Sequence, residues 1–178
     1  NWKQYFHPMP IGEKLLIRPV WIDDYDADGR AVLDIEPGLA FGSGSHPTTR
    51  LCLETLERYV KNGDEVLDIG CGSGILSIAT LLLGAKHALG VDIDSLAVKT
   101  AKENAKQNGF AEDRFTAVQG NLSDKVSGKF DIVVANIVAD IIMEFNTEVG
   151  KFLKDDGVYI TGGIIENRED EVLYSFNQ

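Results

Sequence analysis

Short hydrophobic runs alternate with amphipathic stretches along most of the chain. The runs predict strands over residues 65–69, 88–91, 115–119, 130–135 and 158–161. Apolar positions at helical spacing predict helices over residues 75–83, over 95–108 with Ser95 as its cap, from the strand at 130–135 to about 153, and roughly over 167–176. Such alternation indicates βαβ units, and therefore an α/β fold with a doubly wound, mostly parallel sheet covered on both faces.

The pattern before residue 65 is different. Residues 14–21 and 31–35 are rich in strand formers and flank an acidic turn, so we predict a β-hairpin in an N-terminal extension of residues 1–36. A glycine-rich segment follows. Pro47 suits the first turn of a helix because its missing N–H is not needed there. That helix would end near Asn62.

The last predicted helix comes where a doubly wound sheet normally adds another strand. We therefore expect further strands beyond residue 178, and we take residues 37–178 as the globular domain.

Charge and cysteine content narrow the function classes. The net charge is −11, from 17 basic and 28 acidic residues. Nucleic-acid affinity depends largely on Lys and Arg, so this charge disfavours a nucleic-acid partner and favours a basic protein, although it would also serve solubility alone. No apolar run approaches the ~20 residues that span a bilayer, so we expect no membrane association. Cys52 and Cys71 lack a disulfide-framework spacing, which favours a reduced, cytoplasmic protein.

The strongest chemical signal is a glycine-rich loop between the strand at 65–69 and the helix at 75–83. It contains Gly70, Gly72 and Gly74. Glycines at these positions allow a tight turn and let a ligand lie against bare backbone near the positive end of a helix. We therefore predict that all three contact a cofactor.

An acidic residue follows at the end of the next strand. Asp92 can accept hydrogen bonds from two ribose hydroxyls, which indicates an adenosine site, and we include the adjacent Ile93 in it. Dinucleotide enzymes favour G-x-G-x-x-G, but the third glycine position here is Ile75. Asp68, just before the loop, would repel a pyrophosphate but could hold the ammonium of a methionine moiety. These features favour S-adenosyl-L-methionine over NAD.

Four stretches resemble the PrmA family of class I methyltransferases, which methylate ribosomal protein L11. They are the segment 37–49 with its His-Pro-Thr-Thr end, the glycine loop 68–76, the strand end 133–137, and the opening residues Trp2, Tyr5 and Phe6. The resemblance covers most of the chain, and the first of these stretches is the most specific.

The resemblance implies a Rossmann-like methyltransferase domain that uses S-adenosyl-L-methionine to methylate Lys ε-amines, the N-terminal α-amine, or both, of L11. It places Thr49 and Asn136 at the cofactor together with the loop and Asp92. Residues 41–46, with Phe41 and His46, would fold over the reaction centre. Asn121 lies where such enzymes contact adenine, although an acidic residue is more common there.

Asn136 is the predicted catalytic residue. It ends a buried strand at the carboxyl edge of the sheet, where open α/β folds bind ligands. Its carbonyl oxygen would orient a neutral amine, since an amide is too weak to act as a base. No metal site is predicted. A surface or helix-capping role is the alternative to a role of His46 at the reaction centre. Thr49 would serve equally to satisfy backbone groups in the first helical turn.

Other functions remain open at this stage. Methyltransferases that act on bases or glutamine usually show Asn-Pro-Pro-Tyr at the fourth strand, whereas this chain has Asn136-Ile-Val-Ala. The alternatives are a methyltransferase for another protein, RNA or a small molecule, an NAD-linked oxidoreductase, and a non-catalytic S-adenosylmethionine-binding domain. The family normally carries an N-terminal domain that recognises the substrate, and nothing in these residues resembles it.

Overall fold

Five parallel strands form the central sheet, and a sixth strand runs antiparallel at one edge. The computed structural model describes residues 2–36, 47–162 and 173–175. Its strands are β1 (Met9–Ile11), β2 (Leu15–Pro19), β3 (Ala31–Ile35), β4 (Glu65–Ile69), β5 (His87–Asp92), β6 (Phe115–Gln119), β7 (Phe130–Ala135), β8 (Leu153–Thr161) and β9 (Leu173–Ser175). Its α-helices are α1 (Pro47–Tyr59), α2 (Ile75–Leu82), α3 (Ser95–Gln107) and α4 (Ala139–Asn146), with 3-10 helices at Trp2–Tyr5 and Val149–Phe152.

The central sheet confirms the predicted doubly wound α/β fold. Its strand order is β6-β5-β4-β7-β8-β9, in which the five strands from β4 to β8 are parallel and β9 is antiparallel to β8. The chain builds outward from β4 in one direction and then returns to build outward from its other side. A crevice forms at the carboxyl ends of the strands where this direction reverses, here between β4 and β7.

Apolar side chains cover both faces of the sheet. Val66 and Ile132 point into a cluster that contains the buried faces of α1, α2 and α3. Their neighbours Leu67 and Val133 point into a second cluster on the opposite face, with Phe145 of α4. Since successive residues of a strand face opposite sides, this double burial explains why the central strands read as continuous apolar runs.

The predicted N-terminal hairpin is wrong. Residues 15–19 and 31–35 do form strands, but β2 and β3 pair in parallel, while the antiparallel partner of β2 is β1. A tight turn at Gly12 joins β1 to β2. Residues 20–30 then carry the chain back along the sheet, as a parallel pairing requires.

Arg30 accounts for this arrangement. Its guanidinium donates to the backbone carbonyls of Gly12 (2.7 Å) and Leu15 (3.2 Å), and the adjacent Ala31 N–H donates to the Lys14 carbonyl (2.8 Å). These bonds hold the start of β3 beside the start of β2, which fixes the parallel direction.

The small sheet packs against the main domain. Ile11, Leu15 and Leu33 belong to the same apolar cluster as α1 and α2. The Asn108 side chain, just after α3, pairs with the backbone of Asp34 in β3, accepting at 2.8 Å and donating at 3.0 Å. Among the described residues, no helix is long and apolar enough to cross a membrane.

Three local predictions need correction. The helix predicted to run to about Leu153 ends at Asn146, and β8 already begins at Leu153. Of the final helix predicted over 167–176, the described part, Leu173–Ser175, is a strand instead, because it pairs with β8. The cap of α3 is Asp94 rather than Ser95, since the Asp94 carboxylate accepts from Leu96 N–H at 2.9 Å.

Candidate functional site

The glycine loop lies between β4 and α2, at the crevice. Gly70, Gly72 and Gly74 all have positive φ, at 69°, 53° and 83°, where side chains are strained. A Cβ on Gly70 would run into the side chain of Ile137, and one on Gly74 would come within 3.1 Å of the Ala101 side chain. Around Gly72 there is open space, because no described atom lies within 4 Å of a Cβ built there. Gly72 is therefore the point where a ligand can approach bare backbone.

Asp92 sits beside this open position at the end of β5. Its Oδ2 accepts from Gly72 N–H and its Oδ1 accepts from Asp94 N–H, both at 2.9 Å. The carboxylate therefore holds the loop in place. A carboxylate can accept about four hydrogen bonds, so two acceptor positions remain for ribose hydroxyls. Asp92 fits the predicted ribose contact and also shapes the loop.

The edge next to Asp92 offers one apolar and one polar side chain. Ile93 is 68% exposed, and Gln119 Nε2 donates to its carbonyl at 3.1 Å. Asn121 follows β6, which pairs with β5, and its side chain is exposed. Asp124 fixes the Asn121 backbone by accepting from its N–H at 3.0 Å. Ile93, predicted in the adenosine site, and Asn121, predicted at the adenine, are therefore both accessible beside Asp92, and their contacts with the cofactor stay predictions.

Asp68 is a buried carboxylate with an unfilled bonding position. It is 1% exposed, and its Oδ2 accepts from the Ser77 hydroxyl at 2.6 Å. Its Oδ1 is buried and has no partner among the described residues. Desolvation raises the pKa of Asp68 to about 7; the Ser77 bonds oppose that shift, and the charge of Asp92 adds to it. An ammonium group would supply the missing partner and favour the ionised carboxylate.

Two buried thiols lie near this carboxylate. Burial first, and then the charge of Asp68, raise the pKa of Cys52 to about 12 and also raise the pKa of Cys71. Both cysteines are therefore neutral near pH 7 and poor nucleophiles. Among the described residues there is also no group of three or more His, Cys, Asp and Glu that could hold a metal ion.

Asn136 forms a second part of the site at the end of β7. Its Nδ2 donates to the hydroxyl of Thr49 in α1 at 3.1 Å. Thr49 is 5% exposed. On the other side, Gly162 follows β8, and a Cβ there would lie 3.1 Å from Asn136 Oδ1. Oδ1 accepts no hydrogen bond from any described residue.

The predicted site residues thus form two connected groups. One group is the glycine loop with Asp68 and Asp92, and the other is the Thr49–Asn136 pair. Ile137, next to Asn136, approaches Gly70 and joins the groups. Phe41 and His46 lie outside the described residues.

Sequence reasoning missed Ser77 and Gly162. Ser77 is a fully buried polar residue in the otherwise apolar first turns of α2, and that contrast was its only signal. Gly162 ends β8 at the same sheet edge as the other site residues. Its backbone N–H donates to the Ala135 carbonyl at 3.0 Å, directly beside Asn136. Neither contact is visible in the local sequence.

Known proteins are similar to this chain in sequence and in fold. The chain is 49% identical over 179 residues to the ribosomal protein L11 methyltransferase of Clostridium perfringens strain ATCC 13124, and 46% identical over 177 residues to that of Desulforamulus reducens. These alignments cover 100% and 99% of this chain but 56% and 57% of the relatives. The chain therefore spans little more than half the length of these curated relatives.

Solved structures agree with the sequence comparison. The crystal structure of ribosomal protein L11 methylase from Lactobacillus delbrueckii subsp. bulgaricus superposes with a TM-score of 0.79 at 35% identity, covering 88% of this chain and 79% of that one. A T. thermophilus 16S rRNA N2 G1207 methyltransferase, solved in complex with AdoMet and guanosine, gives 0.58 at 25% identity over 68% of this chain and 36% of that one. The family described as ribosomal protein L11 methyltransferase (PrmA) matches residues 1–178, and the chain belongs to that family.

Proposed function

We propose that this chain carries the methyl-transfer centre of an enzyme that uses S-adenosyl-L-methionine to methylate amines of ribosomal protein L11. The targets would be Lys ε-amines, the N-terminal α-amine, or both. The observation that carries the proposal is the buried Asp68 carboxylate, whose Oδ1 has no partner among the described residues, together with the open space at Gly72. This combination suits a ligand that carries both an ammonium group and an adenosine group, and the negative charge of Asp68 would repel the pyrophosphate of NAD.

Each part of the cofactor has a candidate partner. Asp68 would hold the ammonium, Gly72 would let the ligand lie against the loop backbone, and Asp92 would use its remaining acceptor positions on the ribose hydroxyls. Ile93 would cover one face of the adenine with apolar surface, and Asn121 would offer it a polar side chain. Phe41 and His46 stay predicted contacts from the sequence.

The bound cofactor supplies a methyl group activated on a sulfonium, so the protein has to align and prepare the amine. Asn136 would accept a hydrogen bond from the amine through Oδ1, which accepts none from the residues that the structure describes, and aim the nitrogen lone pair at the methyl carbon. Such positioning is worth up to ~7–11 kcal/mol in favourable cases. A Lys amine attacks only when neutral, and burial in the crevice would lower its pKa from the usual value of about 10.4.

The charge of the protein supports a basic protein substrate. A net charge of −11 attracts Lys-rich and Arg-rich surfaces and repels nucleic acid. The family name is the basis for proposing L11 as the specific substrate, and we propose a cytoplasmic location for an enzyme that acts on it. Because the chain spans about half the length of its relatives, capture of L11 through a further substrate-recognition domain is part of this proposal.

Calorimetric titration tests the cofactor class. S-adenosylhomocysteine should bind saturably, NAD should not, and Asp92→Ala should weaken binding by about tenfold or more, the loss of two charge-assisted hydrogen bonds. Asp155→Ala is the matched control, because it removes an exposed aspartate near the amino end of β8, opposite the crevice. Binding of NAD alone, or equal losses in both variants, would contradict the proposed site.

Mass spectrometry of L11 after incubation with enzyme and S-adenosylmethionine tests the reaction. Asn136→Ala should lower the transfer rate by about 100-fold, the cost of a misplaced reactant, while the affinity for S-adenosylhomocysteine changes by less than about threefold. Equal losses in rate and affinity would show that Asn136 serves cofactor binding and does not orient the amine.

A further inference from the structure

Three separate segments meet around the Asn136 side chain. Asn136 follows β7, Thr49 lies in the first turn of α1, and Gly162 follows β8. The Thr49 hydroxyl receives the Nδ2 hydrogen bond at 3.1 Å, and the Thr49 side chain is itself buried. This hydrogen bond joins residues that are 87 positions apart in the chain. The asparagine amide is therefore held from outside its own strand.

Gly162 leaves the space that the other end of the amide occupies. A Cβ on Gly162 would lie 3.1 Å from Asn136 Oδ1, 2.5 Å from Cys52 Sγ and 3.5 Å from the Thr48 carbonyl oxygen. A Cβ at 3.1 Å from an oxygen is tighter than ordinary van der Waals contact, so Asn136 would have to move by a few tenths of an ångström. The Gly162 N–H is bonded to the Ala135 carbonyl at 3.0 Å, which keeps this backbone from retreating.

We propose that Thr49 and Gly162 are positioning residues that hold the Asn136 amide in one place and one plane, with Oδ1 turned to the amine. This inference rests on the proposed methyl transfer. The sequence resemblance assigned Thr49 to the cofactor; in the structure its hydroxyl is buried against Asn136, so it acts through that side chain. Gly162 acts by lacking a side chain.

The chemistry explains why such a device is needed. An asparagine amide carries an acceptor at one end and a donor at the other, and these ends differ little in shape. Only the oxygen can accept a hydrogen bond from a neutral amine. In the structure the Thr49 hydroxyl accepts from Nδ2, and Oδ1 lies at the other end of the amide, towards Gly162. A shift of about 1 Å in a reacting group costs up to ~100-fold in rate, so small displacements matter.

A double-mutant cycle between Thr49 and Asn136 tests the proposal by activity. Thr49→Val removes the hydroxyl at nearly constant volume and should lower kcat/KM by about tenfold, mainly in kcat, with less than about threefold change in S-adenosylhomocysteine affinity. Thr49→Ser keeps the hydroxyl and should restore most of the rate. In an Asn136→Ala background, Thr49→Val should cost less than about twofold, because the side chain on which it acts is gone.

Gly162 needs a paired design, because its Cβ would also strike Cys52. Cys52→Ala alone removes the sulfur and should keep the activity. Cys52→Ala with Gly162→Ala then differs from that control chiefly by a methyl group against Asn136 Oδ1. We expect kcat to fall by about tenfold between these two variants while the melting temperature changes little.

A third measurement is independent of activity and cofactor. The side-chain amide protons of Asn136 can be assigned in a proton–nitrogen NMR spectrum by their loss in Asn136→Ala. Thr49→Val should shift and broaden these signals, and Thr49→Ser should not. Because this readout works on the free protein, failure of the proposed methyl transfer can be separated from failure of the positioning role.

Three results would overturn the inference. One is an Asn136 amide signal unchanged by Thr49→Val. Another is an equal fold-loss from Thr49→Val with and without Asn136. The third is a loss of S-adenosylhomocysteine affinity at unchanged kcat, which would make Thr49 a direct cofactor contact.

Discussion

Replacing Asp68 by Asn should make the free protein more stable and should weaken its binding of the proposed cofactor. Asp68 is buried, Ser77 fills one of its oxygens, and the other has no partner among the described residues. Asp68→Asn keeps the shape of the side chain and removes its charge. The Ser77 hydroxyl can donate to the introduced amide oxygen as it does to the carboxylate.

The pKa shift gives the magnitude and its sign. Burial raises the Asp68 pKa from 3.8 to about 7, a shift of about three units. At 1.36 kcal/mol per unit, ionising this group in the folded protein costs about 4 kcal/mol. The protonated carboxyl and the introduced amide cost about the same to bury, ~1–2 kcal/mol each, so these costs nearly cancel and we expect a gain of up to about 4 kcal/mol in the unfolding free energy above pH 7.

The gain should depend on pH. With a folded-state pKa above the unfolded one, the folded wild-type protein binds more protons between these two values. The contribution of Asp68 to stability is therefore fully present below about pH 4 and is lost as pH rises to about 7. Asp68→Asn lacks this titration, so its advantage should grow over the same interval.

Urea unfolding of both proteins between about pH 5 and pH 8 measures the difference, and the other titrating groups cancel in the comparison. A constant gap across pH, or a variant less stable than the wild type at pH 8, would refute the reasoning. Binding should change in the opposite direction. S-adenosylhomocysteine should bind Asp68→Asn at least tenfold more weakly, whereas methylthioadenosine, which lacks the ammonium, should bind both proteins alike.

Three further predictions concern single features. Asp94→Ala should lower the unfolding free energy by ~1 kcal/mol in urea titration, because it removes the α3 cap, and a loss below ~0.3 kcal/mol would show that this bond contributes little. Gly70→Ala should destabilise the protein and lower its calorimetric affinity for S-adenosylhomocysteine, because the added Cβ would meet Ile137 at a residue with positive φ. An unchanged stability and affinity would contradict this position of the loop. Cys52 and Cys71 should react with Ellman's reagent at pH 7 only at the rate of unfolding, because burial raises the pKa of both thiols, and rapid labelling of the native protein would contradict their burial.

The central βαβ region could be predicted closely because its strands are buried on both faces. The runs at 65–69, 115–119 and 130–135 have the same bounds in the structure. Local composition decides such strands: an apolar run has few alternatives inside a covered sheet. The glycine loop and Asp92 were predicted on the same basis, since turn geometry and the end of a strand are local properties.

Errors arose where long-range contacts decide the structure. The direction of β3 depends on Arg30, which bonds to carbonyls 15 to 19 positions away. Strand β9 has a sequence that favours a helix, and its pairing with β8 overrides that preference. The contacts of Asn136 with Thr49 and Gly162 are also long-range, so the local sequence does not reveal them. The pattern gave the residue types at the site but not which of them contact one another.

The sheet places strands side by side that leave the ribosome at different times. A ribosome releases β4, β5 and β6 before β7 and β8, and at ~5–20 residues per second the wait lasts a few seconds. Where β4, β5 and β6 pair before β7 is released, β4, an inner strand of the finished sheet, has one unpaired side that can template aggregation. In that case β4 and β5, which carry Asp68 and Asp92 on the side of the proposed nucleoside, form first. Pairing of β7 with β4 would then cover this edge, and the same step would place Asn136, which follows β7, beside the glycine loop. Addition of β8 would bring Gly162 to the same site.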